Sequence, residues 1–137
     1  MFDQYTGIHT RNFARAFIVE DVDTETRVVF VSCDTAMMGQ LVKVEQTLLL
    51  SECSHLQLGV LAELEAVYPG MYSEKNVVLS ATHTHSGPAG FMQYVLFNIP
   101  NLGYVKQTHE GLVEGITRSI AIAHDALAPG RWVLQSW

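Results

Sequence analysis

Two apolar, β-branched runs, RVVFVSC at residues 27–33 and NVVLSA at 76–81, stand on either side of a stretch with helical spacing. Strand, helix, strand in that order points to a parallel βαβ unit with a right-handed crossover. Upstream, ARAFIVE at 14–20 is a further short run of β-branched and aromatic residues. The charged VDTET segment that follows reads as a hairpin turn, so 14–20 and 27–33 are expected to pair. Asp34 and Thr35 offer N-cap oxygens to the helical stretch, in which Met38, Leu41 and Glu45 lead on to Leu61, Leu64 and Val67. Pro69 and Gly70 end it. From Thr108, the spacing of Leu112, Ile116, Ile120, Ala123 and Leu127 predicts an amphipathic helix closed by Pro129 and Gly130, and RWVLQ opens a last strand. The expected fold class is α/β: a partial parallel or mixed sheet with flanking helices in one unit, residues 1–137.

Composition narrows the function. With 48% hydrophobic and 16% charged residues, the 137-residue chain is built to bury a core. A formal charge of -6 and only eight scattered Lys and Arg exclude a phosphate-tracking surface, so no nucleic-acid partner is expected. Cys33 and Cys53 form neither a CxxC pair nor a disulfide framework and read as free thiols. MFDQYTGIHTR has no apolar signal-peptide core, and no run approaches the roughly 18 apolar residues of a membrane span.

The segment NVVLSATHTHSGPAGF, residues 76–91, breaks the character of its surroundings by placing two imidazoles directly after an apolar strand. In extended chain, residues two apart share a face, so His83 and His85 are expected to project together at the strand's carboxyl end. Ligands of open α/β sheets gather there, and neutral imidazole is a common zinc ligand. The bland alternative is a pair of histidines hydrogen-bonded to nearby backbone. The glycines of Ser86-Gly87-Pro88-Ala89-Gly90 allow close approach to a ligand, or simply form a loop. In GFMQYVLFNI, core packing of Phe91, Tyr94, Leu96 and Phe97 is favoured over a lipid-facing surface. His109 and His124 read as structural or surface residues with nothing to pair with.

NVVLSATHTHSGPAGFMQY, together with GIHTRNFARAFIV, VVFVSCD and GITRSIAIAHDALAPG, resembles the N-terminal part of the neutral ceramidase family. The resemblance implies a zinc amidase that splits ceramide, a lipid substrate, into sphingosine and a fatty acid. It implies a secreted or cell-surface protein whose contact with membrane is through its substrate. It makes His83 a zinc ligand and His85 a catalytic residue beside the metal. It also implies a structural calcium ion bound by the backbone carbonyl of His9, in the GIxTR motif. The family's other zinc ligands, a second His, a Glu and a Tyr, and its catalytic Ser in a GDVSPN-like motif, lie further along than this sequence reaches. The chain is therefore expected to be an incomplete, inactive piece whose partner is the missing C-terminal portion of the enzyme. The alternative is a non-catalytic binding or regulatory protein that keeps the ceramidase fold.

QTLLLSECSHLQLG, residues 46–59, has no counterpart in the family pattern and reads as an insertion. Kept helical, residues 36–67 would extend about 48 Å, against a usual helix of about 12 residues. Deleting 46–59 is expected to leave the thermal midpoint unchanged or raise it, because exposed leucines are removed and the flanking apolar stripe is rejoined. A large fall in melting temperature would make the segment part of the core.

Overall fold

The structure, a computed structural model, describes residues 10–39, 59–92 and 94–130. Alternating β-branched residues form strand β1 (Ala14–Asp21) and strand β2 (Thr26–Cys33), which pair antiparallel from Ala14↔Cys33 to Asp21↔Thr26. This is the expected hairpin. Asp21 stabilises its turn by accepting from the Thr24 hydroxyl and then the Asp23 N–H, which hold its carboxyl below the usual range. Strand β3 (Val77–Ala81) lies parallel to β2, from Val29↔Val77 to Cys33↔Ala81, in the order β1-β2-β3. The parallel unit is thus present within a mixed sheet.

Helix α1 (Val60–Val67) precedes β3, a short helix α2 (Val95–Asn98) follows the histidine loop, and helix α3 (Lys106–Asp125) closes the described chain. Inward-facing Val29, Val31 and Cys33 of β2 and Val77 of β3 pack with Val60 and Leu64 of α1 and Val113, Ile116 and Ile120 of α3. All are essentially solvent-free, each contributing about 1.5–3 kcal/mol by burial for the aliphatic side chains. Within this core the Cys33 thiol is free and pushed up to about 11 by burial, then by the charge of Asp34.

The start of the long helix differs from expectation. Residues 34–39 are bends and irregular chain, not helix. Asp34 does not cap because its carboxylate is taken by Arg15 and by the Phe13 N–H, and the Thr35 hydroxyl donates to the Met37 carbonyl. Where helix is described it begins after Gly59, whose carbonyl accepts from Ala62 and Glu63. The insertion up to residue 58, the RWVLQ strand and His9 lie outside the described residues.

Two side-chain expectations also change. Both histidines of α3 find partners: buried His109 has its ring 5.8 Å from that of Tyr104, and His124 Nδ1 is hydrogen-bonded to the Tyr72 hydroxyl at 2.6 Å with its ring 4.4 Å from that of Tyr68. This ties the end of α3 to the turn before β3. In GFMQYVLFNI, Phe91 and Met92 are buried and Phe97 packs against the core, but Tyr94 and Leu96 are exposed. A four-residue helix can turn only part of its surface inward.

Gly90 joins the histidine loop to α3. Its φ is +87°, its carbonyl accepts from the Val105 N–H at 2.6 Å, and a Cβ there would stand 2.7 Å from Val105 Cγ2. Gly70 has a similar φ of +70° but open space around it. Gly90→Ala should therefore cost more than the roughly 1–2 kcal/mol of a left-handed alanine. Gly70→Ala should cost only that. Equal losses in denaturant titrations of the two variants would contradict the close packing at Val105.

Candidate active site at the carboxyl end of β3

The parallel ladder continues one step beyond the strands, where the Thr82 N–H donates to the Cys33 carbonyl at 2.9 Å. His83 then takes a left-handed conformation with φ 62°. This is uncommon for a residue other than glycine, and it ends the extended chain. The two imidazoles still converge: their ring centroids are 5.0 Å apart at 67°, with Nε2 to Nε2 at 3.3 Å. They meet across a turn that His83 makes, whereas the sequence pattern expected them to meet along a strand.

The partner of His83 sets its chemistry. Its Nδ1 stands 2.7 Å from the Ala36 carbonyl, which can only accept, so Nδ1 carries the proton. Nε2 is left unprotonated, and His85 Nε2–H donates towards it. An imidazole anchored through Nδ1–H on a carbonyl with Nε2 unprotonated is the arrangement of a metal-binding histidine. Both side chains are exposed, so an ion or substrate can reach them. Among the described residues, no cluster of three or more His, Cys, Asp or Glu side chains is placed to hold a metal. A zinc ion at His83 would need ligands from elsewhere.

A polar clamp holds the loop from below. Arg15 donates through both terminal nitrogens to the Asp34 carboxylate at 2.9 and 3.2 Å, and the Phe13 N–H adds a third bond at 3.0 Å. Arg15 first, then the Phe13 N–H, hold the Asp34 carboxyl below its ordinary value. Asn12 Nδ2 donates to the Asp34 carbonyl at 2.6 Å and lies against Gly87, where an added Cβ would meet it at 2.5 Å. Only a residue without a side chain leaves Asn12 in place. The sequence offered no signal for the Ala36 carbonyl or for this clamp, since both are contacts between distant segments. A cleft of about 510 Å³, lined by residues including Arg27, Pro69 and Lys75, lies at the opposite end of the sheet.

With this geometry in place, similarity to known proteins decides the family. The family model described as "Neutral/alkaline non-lysosomal ceramidase, N-terminal" matches residues 1–136. The chain belongs to this ceramidase family. It is 46% identical over 125 residues to the neutral ceramidase of Pseudomonas aeruginosa, covering 91% of this chain and 17% of that protein. Neutral ceramidase 2 of Arabidopsis thaliana is 42% identical over the same share of this chain, which covers 14% of it. The crystal structure of the Pseudomonas aeruginosa neutral ceramidase superposes with a TM-score of 0.77 over 91% of this chain and 18% of its own. The chain thus spans less than a fifth of the ceramidases it matches.

The clamp carries a pH signature. A carboxyl with a lowered folded-state value adds stability above its unfolded value, about 4, and loses it as pH falls through the folded one. Asp34→Asn should lower the thermal midpoint at neutral pH, and the gap to the parent should close only as pH drops below about 4. A gap that stays constant down to strongly acidic pH would show that the carboxylate charge is not what holds the loop.

Proposed function

We propose that this chain supplies the His83–His85 part of a zinc-dependent centre that hydrolyses the amide bond of ceramide to sphingosine and a fatty acid. The observation that carries this reading is the His83 imidazole, fixed through Nδ1–H on Ala36 with Nε2 presented beside His85 Nε2. Membership of the ceramidase family supplies the substrate class.

Amide hydrolysis needs a strong nucleophile and stabilisation of the oxyanion that forms at the carbonyl. Zinc, when bound, supplies an acidified water and a Lewis acid for that carbonyl. His83 would hold the ion through Nε2, its orientation kept by the Ala36 carbonyl. His85 would donate from Nε2 to the substrate oxygen, aligning the carbonyl and stabilising developing negative charge. Since a catalytic zinc takes about three protein ligands, the others would come from polypeptide outside the described residues. The 137-residue chain is accordingly proposed to be inactive alone. On the same reading a calcium ion takes the backbone carbonyl of His9, and the protein works outside the cell or at its surface, meeting membrane only through its lipid substrate.

The test is a chimera in which this chain replaces the matching region of the Pseudomonas aeruginosa enzyme. His83→Ala is expected to abolish both zinc content and fatty-acid release from a labelled ceramide. His85→Ala should cut turnover about 100-fold or more while leaving most of the zinc. Full activity in His83→Ala, or robust turnover by the 137-residue chain alone, would overturn the reading.

A further inference from the structure

The sheet has two apolar faces and a cover for one of them. On the inner face Val29, Val31, Cys33 and Val77 are at most 1% exposed beneath α1 and α3. On the outer face Phe17, Val19, Val28, Phe30 and Val78 remain between 40% and 58% exposed. Cross-strand register makes these one patch: Phe17 stands opposite Phe30, Phe30 opposite Val78, and Val19 opposite Val28. Polar residues border it at both ends, with Arg15, Ser32 and Ser80 towards the histidine loop and Asp21 and Thr26 at the turn. An apolar centre with a polar rim is the anatomy of an interface. Parallel strands that are apolar on both faces belong to sheets covered on both sides.

We propose that this outer face is the docking surface for the part of a ceramidase polypeptide that the present chain does not span. Three observations favour that occupant. The ceramidases it resembles are far longer, since the chain covers 17% of the Pseudomonas aeruginosa protein, so ample polypeptide exists to form a second layer. The charged groups on this face sit at its rim and are engaged within the chain, Arg15 with the Asp34 carboxylate and Asp21 with its own turn, so the centre of the face calls for an apolar partner. A second copy is a poorer fit: five apolar side chains fall short of the roughly 20–30 residues a side of a stable dimer, whereas a tethered layer needs no such area.

The experiment compares the 137-residue chain with the same chain placed in the Pseudomonas aeruginosa enzyme, each with and without the pair Phe17→Ser and Phe30→Ser. In the chimera the pair is expected to lower the thermal midpoint by about 5 °C or more. In the chain alone it should leave the midpoint unchanged or raise it. Hydroxyl-radical labelling of the unsubstituted proteins should modify Phe17 and Phe30 in the chain alone and spare them in the chimera. Equal labelling in the two settings would overturn the proposal, as would a chimera in which this region melts separately from the rest. A concentration-dependent dimer of the chain alone that the substitutions dissolve would assign the face to a second copy instead.

Discussion

The parallel pairing of β2 with β3 joins segments that residues 34–76, α1 among them, separate widely in sequence, and the carboxyl edge of the sheet follows from it. Closing so long a connection costs chain entropy, and the return is burial of Val29, Val31 and Val77 beneath the helices. Once the ladder is formed, the chains leaving β2 and β3 run side by side. The Thr82 N–H extends the pairing to Cys33, and the Ala36 carbonyl comes within reach of His83. The unprotonated Nε2 of His83 is thus a consequence, several steps removed, of valine packing.

At that edge the polar groups compete for partners, and the outcome shapes the backbone. Asp34 is spaced to cap a helix, yet Arg15 and the Phe13 N–H offer its carboxylate a bidentate pair and a further bond. These bonds engage both carboxylate oxygens of Asp34 and turn them away from a cap. Residues 34–39 therefore leave β2 as bends and irregular chain and bring Ala36 to the histidine loop. Three of the segments that carry the family resemblance, TRNFAR, VSCD and THTHSGP, meet here. Asn12 spans all three by bonding to Asp34 while resting against Gly87.

Burial elsewhere separates residues of equal hydrophobicity. Phe30 and Val31 are neighbours in one strand, yet Val31 is in the core and Phe30 faces outward. Tyr94 and Leu96 remain exposed while Phe91 and Phe97 pack inward. An apolar pattern records what a chain is built to bury. It does not record what covers it.

The sequence by itself determined the local elements: the hairpin of 14–33, the strand at 77–81, its parallel relation to β2, and the final helix of 106–125. Period-two and helical spacings are properties of neighbouring residues, and strand, helix, strand leaves little topological choice. The sequence also marked His83 and His85, because paired imidazoles after an apolar strand are conspicuous. Tertiary structure decided the rest. It withdrew Asp34 from capping, gave His124 to Tyr72, turned His83 into the left-handed region, and selected which of its nitrogens carries the proton. Each of these depends on a group distant in sequence, and a hydrogen bond between distant residues leaves no period in the chain for a sequence to display.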